Sequence, residues 1–368
     1  MNQKKILIFM PSIEGGGVEK NLFLIANYLS KNNTDIILLT ANPEYKSKFD
    51  KKIKIISPPY SYNLKNSPRL KKYFFCLLIL FKILFKNKNI ITFSFQANLY
   101  AILISKFFNR KIIIRSNSSP SGWSNNFLKK TIYKIILKMA DKIIVNSVDF
   151  KKEMEKKFNI KCTSIYNPLN KDYTINKAKE KTVLSFYKPK NCLKIITIGR
   201  FVDQKDHMTI IKAINLIKEK INPKLIIIGR GIEKKNYKNF IKINNLYKNI
   251  KIINFQNNPF KFIAKADLFV LSSKFEGLPN VLLEAMALKK LVVSTNCPTG
   301  PKEILANGKN GVLFKISDYK ALSKIFIEIY TNKKKFNKHI INANKDLKRF
   351  DFKLNCKKYL NTINSLIN

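Results

Sequence analysis

Short apolar runs alternate with helical stretches along almost the whole chain, and this alternation limits the possible folds more than any other feature. Runs of about five residues at 6–10, 35–40, 53–57, 89–93, 111–115 and 142–146 have the content of buried strands. Helical patterns lie between most of them, starting with residues 18–30. Parallel neighbours need crossover connections, so strand–helix alternation predicts a parallel sheet covered on both faces. The pattern lapses over a polar stretch that holds Pro168 and Pro189. It then restarts, with strands at 194–198, 224–228, 251–255, 267–272, 291–295 and 311–314 and helices at 206–220 and 281–288. The expectation is an α/β chain of two Rossmann-like parallel-sheet domains, 1–170 and 191–348, with a linker at 171–190 and a last apolar-faced helix within 349–368.

Glycine positions sharpen the expectation. Ten of the 11 glycines fall at or just after strand ends: Gly15, Gly16, Gly17, Gly199, Gly229, Gly231, Gly277, Gly300, Gly308 and Gly311. Tight turns account for some of these. In open parallel sheets, however, ligands bind outside the carboxyl ends of the strands, so glycine-lined loops there mark candidate binding walls.

The segment Phe275-Glu276-Gly277-Leu278-Pro279-Asn280-Val281-Leu282-Leu283-Glu284 carries the strongest local signal. It places two carboxylates across a strand–loop–helix junction, with Glu276 in the loop and Glu284 in the first helical turn. Asn280 is the expected N-cap. Free backbone N–H groups at such a helix start suit phosphate or sugar oxygens, and carboxylates accept hydrogen bonds from hydroxyl pairs. Alternatively, Glu284 does no more than favour the positive end of its helix.

Three further segments stand in order around it: Gly15-Gly16-Gly17-Val18-Glu19, Gly199-Arg200 followed by Lys205, and the strand 225–228 ending in Gly229-Arg230-Gly231. Together with the E-x7-E segment they resemble the large retaining glycosyltransferase family 4, in the form found in bacterial surface-polysaccharide synthesis. The resemblance implies a GT-B fold, two facing Rossmann-like domains with the active site in the cleft between them. The N-terminal domain would receive the acceptor, and the C-terminal domain would bind a nucleotide-sugar donor. The last helix would cross back to the N-terminal domain.

The resemblance also implies roles. Arg200 and Lys205 would stabilise the departing diphosphate, and Glu276 would sit near the transferred sugar as a stabilising residue. Glu284 would hold the ribose. Gly15, Gly16, Gly17, Gly199, Gly229, Arg230, Gly231 and Phe255 would line the donor site, together with Gly277, Leu278, Pro279, Asn280 and Val281. Retention would follow front-face attack, with a donor phosphate oxygen taking the acceptor proton. No Asp-x-Asp occurs in the sequence. The expectation is therefore a metal-independent enzyme without a cofactor, for which the nucleotide sugar is a substrate.

Two departures from the family pattern stand out. Many relatives have a histidine after the strand at 111–115. Here Arg115-Ser116-Asn117 occupies the place, so these three become the acceptor-side candidates. Many relatives also have a Gly-Gly pair before a glutamate after the strand at 291–295. Here the run is Asn296-Cys297-Pro298-Thr299-Gly300-Pro301-Lys302-Glu303. His207 reads as a solvated helix-start residue.

Composition enters through charge. The formal net charge is +47, and a nucleic-acid partner is its obvious reading. Yet only six of the 70 basic residues are arginine, and lysine is spread along the whole chain with Ile and Asn. There is no zinc-finger spacing, aromatic–basic RNA-binding pattern or basic heptad helix, so no nucleic-acid partner is expected. An inactive sugar-nucleotide sensor is the other non-enzymatic reading, and intact Arg200, Lys205, Glu276 and Glu284 argue against it. Five cysteines without a CxxC pair read as reduced thiols in a cytoplasmic protein, and no signal peptide opens the chain.

Local charge is more informative. Residues 73–85 are apolar apart from Lys82 and fall short of the ~20 residues needed to span a bilayer. The segment fits a helix buried between layers. It also fits an interfacial helix, for which Lys71, Lys72, Lys82, Lys86 and Lys88 would suit an anionic membrane. A second basic–apolar helix follows at 127–142. The expected partners are a nucleotide-sugar donor, with UDP as the expected nucleotide, a lipid-linked or glycan acceptor, and the cytoplasmic face of the inner membrane. A GT-B enzyme acting on a soluble acceptor is the competing reading.

Overall fold

A computed structural model describes residues 5–32, 35–117, 127–189 and 191–367. The chain divides into two compact units: residues 1–168 together with 352–368, and residues 169–351.

The first unit holds strands β1 (Lys5–Phe9), β2 (Ile36–Leu39), β3 (Lys54–Ile56), β4 (Ile90–Ser94), β5 (Ile112–Ser116), β6 (Lys142–Val145) and β7 (Thr163–Ser164). Its helices are α1 (Gly17–Lys31), α2 (Arg69–Lys86), α3 (Asn98–Phe107), α4 (Phe127–Lys138) and α5 (Val148–Phe158). The second unit holds α6 (Lys171–Ala178), β8 (Leu193–Ile198), α7 (His207–Ile217), β9 (Pro223–Gly229), α8 (Lys234–Ile243), β10 (Ile250–Asn254), α9 (Phe260–Ile263), β11 (Leu268–Leu271), α10 (Asn280–Ala287), β12 (Leu291–Thr295), α11 (Pro301–Ile304), β13 (Val312–Phe314), α12 (Tyr319–Thr331) and α13 (Asn337–Asp346). The last helix, α14 (Phe352–Ile367), belongs to the first unit. The stretch 171–190, read from sequence as a linker, opens with α6 and is part of the second unit.

Strand order is β3-β2-β1-β4-β5-β6-β7 in one sheet and β10-β9-β8-β11-β12-β13 in the other, and every pair is parallel. This is doubly wound topology, with a switch point at β1/β4 and another at β8/β11. The central strands are buried on both faces, which explains their continuous Ile and Leu content. In β5, for example, Ile113 faces the core beneath α1 and α14, while Ile112 and Ile114 face the core beneath α2 and α5.

α14 enters the first of these cores through Cys356, Tyr359, Ile363 and Leu366 at helical spacing. Arg115 bolts it there from the end of β5. Its Nε donates to the Tyr359 hydroxyl at 2.9 Å and its Nη2 to Asn167 Oδ1 at 2.6 Å, with the side chain wholly buried. The five cysteines are buried thiols, and burial pushes those of Cys76, Cys162 and Cys297 up to about 12.

α2 is longer than its apolar run suggests. Lys72, Cys76, Leu80 and Leu84 form its buried stripe, and Phe74, Leu78, Phe81 and Phe85 stand exposed on the opposite side. Within the described unit it is therefore not enclosed between layers. Lys72, expected at the surface, is buried, because its ammonium turns inward to the Lys65 carbonyl (3.2 Å) and Asn42 Oδ1 (3.4 Å). Among the described residues no helix is long and apolar enough to cross a membrane.

Candidate functional site

The order β9-β8-β11-β12 lines up four loops at the carboxyl ends of neighbouring strands. They are 229–231 after β9, 199–205 after β8, 272–279 after β11 and 296–300 after β12. Arg200, Lys205 and Glu276 thus converge although some 71 residues separate Lys205 from Glu276.

The β8 and β11 loops are stitched together. Lys205 Nζ pairs with Glu276 Oε1, and both side chains are largely withdrawn from solvent, 15% and 9% exposed. Ser272 Oγ donates to the Lys205 carbonyl at 2.9 Å. Gln204 Nε2 donates to the Phe275 carbonyl at 2.9 Å, and the Lys274 N–H returns a bond to the Gln204 carbonyl at 2.9 Å. Arg200 is exposed and gives one N–H to Gln204 Oε1 at 3.4 Å. A planar fork held this way keeps donors free for a phosphate group. Gln204 and Ser272 carry no sequence signal, being isolated polar residues without distinctive spacing.

Glycine permits the next seam. A Cβ at Gly229 would lie 1.9 Å from the Gly199 carbonyl oxygen and 2.7 Å from the Phe201 ring. The Phe201 N–H donates to the Arg230 carbonyl at 2.8 Å and the Glu233 N–H to the Phe201 carbonyl at 3.0 Å. Arg230 lies over the Phe255 ring at 5.1 Å, and that ring is 41% exposed. Such a cation–aromatic pair offers a flat apolar edge beside a positive charge.

His207 corrects the sequence reading. It does begin α7, but it is buried rather than solvated. The imidazole lies under Gly199, edge-on to Phe201 and Tyr237 at 5.7 and 5.9 Å between centroids, and neither ring nitrogen makes a hydrogen bond. Burial, with Lys205 adding to it, lowers its pKa to about 3; the nearby backbone of Gly199 and Arg200 opposes the shift. The native state therefore holds this ring neutral while the unfolded chain protonates it below about 6.5. Stability from this residue is complete above pH 6.5 and declines as pH falls toward 3, at up to about 1.4 kcal/mol per pH unit. Urea midpoints at pH 7 and pH 5 should separate clearly for the wild type, and the gap should shrink in His207→Phe. An equal gap in both proteins would contradict this assignment.

The E-x7-E segment differs slightly from expectation. Pro279 takes the cap position and Asn280 is the first residue of α10, so Glu284 opens the second turn rather than the first. Glu284 is buried, as are Gly277, Leu278 and Pro279, while Val281 is partly exposed.

In the first unit the loop after β1 is organised by carboxylates. Glu19 Oε1 accepts the Glu14 N–H at 3.3 Å, which turns the chain over Gly15 (φ +82°), Gly16 and Gly17. Arg69 grips Glu14 through Nε and Nη2, each at 2.5 Å, and this pairing holds the Glu14 carboxyl below its ordinary pKa. Arg115, expected on the acceptor side, spends its guanidinium inside the fold on Asn167 and Tyr359. Ser116 is buried, and Asn117 donates to the Phe95 carbonyl at 3.0 Å. Among the described residues no three His, Cys, Asp or Glu side chains gather as a metal site would require.

Comparison with known proteins gives a consistent picture. Residues 15–173 match the family model "Glycosyltransferase Family 4", and residues 179–346 match "Glycosyl transferases group 1". An uncharacterized glycosyltransferase of Methanocaldococcus jannaschii is 30% identical over 239 residues, covering 60% of this chain and 58% of that protein. The N-acetylgalactosamine-N,N'-diacetylbacillosaminyl-diphospho-undecaprenol 4-alpha-N-acetylgalactosaminyltransferase of Campylobacter jejuni is 26% identical over 333 residues, covering 86% and 87%. The crystal structure of Anabaena HepE in complex with UDP superposes with a TM-score of 0.78 at 18% identity, covering 98% of this chain and all of that one.

Proposed function

Because the chain belongs to glycosyltransferase family 4 and has the GT-B fold of two parallel-sheet domains, we propose that this glycosyltransferase moves a hexose or N-acetylhexosamine from a UDP-sugar to a lipid-linked precursor of a bacterial surface glycan, with retention at the anomeric carbon. The convergence of Arg200, Lys205 and Glu276 on adjacent strand ends is the observation that carries the reading. The Campylobacter relative's undecaprenol-linked acceptor and the UDP in HepE support the choice of substrates.

In this mechanism the acceptor hydroxyl oxygen bonds to the anomeric carbon as the carbon–oxygen bond to the diphosphate breaks. The hydroxyl proton passes to a donor phosphate oxygen on the same face. Negative charge gathers on the leaving diphosphate, where Arg200 and Lys205 meet it. Glu276 stabilises the positive charge that develops on the sugar, and Glu284 serves the ribose. The chain's own cations carry the diphosphate, and no metal is assigned to the site.

The enzyme works at the cytoplasmic face of the inner membrane. The apolar stripe of α2 continues onto α3, which packs against both α2 and α4. Phe81 stacks on Phe107 at 6.0 Å, and Phe107 is 75% exposed. On α4, Leu128, Ile132 and Ile135 repeat the exposed helical spacing, and exposed Met139 follows just beyond its end. Exposed Lys71, Lys82, Lys86, Lys88, Lys129, Lys130 and Lys138 accompany these apolar stripes. Apolar residues at helical spacing among lysines match an anionic bilayer surface. At about 1 kcal/mol per lysine near the surface, replacing Lys82, Lys86 and Lys88 with Gln should weaken sedimentation with phosphatidylglycerol vesicles by roughly two orders of magnitude. Phosphatidylcholine vesicles should bind weakly throughout. Equal binding to both vesicle types, unchanged by the substitutions, would refute the membrane reading.

The function itself is tested by supplying a panel of labelled nucleotide sugars with extracted lipid-linked saccharides or with soluble disaccharides. Label should enter the lipid fraction from a UDP-sugar. Transfer confined to soluble acceptors would instead establish the competing reading.

A further inference from the structure

The loop after β12 was set apart by sequence, and no role in the proposed reaction has yet been given to it. Its backbone is unusual at two successive residues. Thr299 has φ +58° and Gly300 has φ +79°. The left-handed region is natural for glycine, but a β-branched residue there is a true outlier. Such strain persists only where the surroundings impose it, and it gathers at functional sites.

The contacts of this loop lead to one place. Thr299 is buried, and its hydroxyl donates to the carbonyl oxygen of Glu276 at 2.5 Å. The Glu276 N–H reaches back to the Pro298 carbonyl at 3.5 Å. Gly300 lies so close that a Cβ there would fall 2.1 Å from the Gly277 carbonyl oxygen. One residue before the turn region, Thr295 Oγ1 donates to the Ser273 carbonyl at 2.7 Å. The β11 loop is therefore held from both sides. Gln204 and Lys205 hold it from the β8 side, where Lys205 takes the Glu276 carboxylate. Thr299 holds the Glu276 main chain from the β12 side.

We infer that Thr299 is a positioning residue for Glu276: its hydroxyl, fixed by the left-handed backbone, sets the Glu276 carbonyl and so the direction in which the carboxylate leaves the chain. This rests on the reading of Glu276 as the residue beside the transferred sugar. A carboxylate that stabilises charge must be held to within about half an ångström. The Lys205 pair alone does not fix it, because a lysine ammonium is a point charge on a flexible stem.

Three substitutions separate positioning from simple packing. Thr299→Ser keeps the hydroxyl. Thr299→Val keeps the shape and loses the hydroxyl. Thr299→Gly loses the hydroxyl and removes the backbone strain. Turnover is followed as UDP release, using whichever of UDP-glucose, UDP-galactose, UDP-N-acetylglucosamine or UDP-N-acetylgalactosamine the wild type processes fastest. Affinity for UDP alone is measured by calorimetry. Thr299→Val and Thr299→Gly should lower kcat at least tenfold with UDP affinity within twofold of wild type, and Thr299→Ser should retain wild-type kcat. Wild-type kcat in both hydroxyl-free variants overturns the inference. So does a loss of kcat matched by equal losses of UDP affinity and melting temperature, since that is general loosening. Glu276→Gln measured alongside distinguishes the two levels. If it turns over normally, the underlying role of Glu276 fails; if it is slow while the Thr299 variants are normal, only the positioning role fails.

Discussion

Glu276→Gln should lower sugar transfer by about 10²–10³-fold, the range for removing one preorganised electrostatic group from an active site, and it should tighten UDP binding. The two effects point in opposite directions for one reason. Glu276 and Lys205 form a largely buried ion pair, so in the free enzyme the carboxylate competes with the donor diphosphate for the same ammonium. Glutamine keeps an oxygen for Lys205 but removes the competing charge. Lys205 then turns to the phosphates more readily, while charge on the transferring sugar loses its stabilising carboxylate. Arg200→Ala should behave differently, weakening UDP binding as well as transfer, because Arg200 is exposed, gives one N–H to Gln204, and in the proposed mechanism turns its remaining donors to the diphosphate. Calorimetry with UDP and a labelled-transfer assay measure both quantities. Near wild-type transfer in Glu276→Gln, or weaker UDP binding in it, would remove Glu276 from its assigned role.

Gly229→Ala should be among the most damaging single-methyl changes in the second unit. The added carbon would sit 1.9 Å from a backbone oxygen and 2.7 Å from a phenyl ring, and neither neighbour can withdraw. The Gly199 N–H is bonded to the Ile228 carbonyl at 3.0 Å and the Phe201 N–H to the Arg230 carbonyl at 2.8 Å, so the two loops would have to part together. Overpacking of this kind costs about 1–3 kcal/mol, a fall in melting temperature of roughly 2–12 °C for a unit of this size. UDP binding should fall with it, because the parted loops carry Arg200 and Arg230. Gly199→Ala is the natural control. Its methyl would meet the His207 ring only at 3.4 Å, near ordinary contact distance, and should cost little. Equal melting temperatures for the two variants would contradict the packing argument.

The two substitutions also show how far the sequence could be read. Lys205 was singled out only by the family resemblance, whereas Glu276 and Arg200 were legible because an ionisable residue beside a strand-end glycine stands out, and arginine stands out further in a chain with 64 lysines. Gly229 was legible for the same reason. Gln204, Ser272 and Thr299 were not. They are common polar residues, and their importance comes from which carbonyl they meet, 71 and 67 residues away for Gln204 and Ser272 and 23 for Thr299. His207 was misread because its position at a helix start is visible in the sequence, while its burial under Gly199 depends on how the loop after β8 folds over it. Lys72 was misread likewise: helical spacing with Cys76, Leu80 and Leu84 places it on the buried stripe, but charge suggested the surface. Arg115 was made an acceptor-side candidate by its place in the family pattern; its partner Tyr359 comes from α14, 244 residues later, and its partner Asn167 lies 52 residues on.

The sequence by itself determined the two parallel sheets, their strands and the strand-end loops that hold the candidate site. Apolar periodicity and glycine placement are local properties, and local properties are written along the chain. Only the tertiary structure decided which loops meet. Strand order, not sequence order, sets neighbours at the carboxyl end of a sheet, and the order β9-β8-β11-β12 brings Gly229, Lys205, Glu276 and Thr299 onto successive strand ends. The same holds for the surface. The apolar runs of α2 and α4 are visible in the sequence, but only the packing of those helices settles which side is buried and which faces outward.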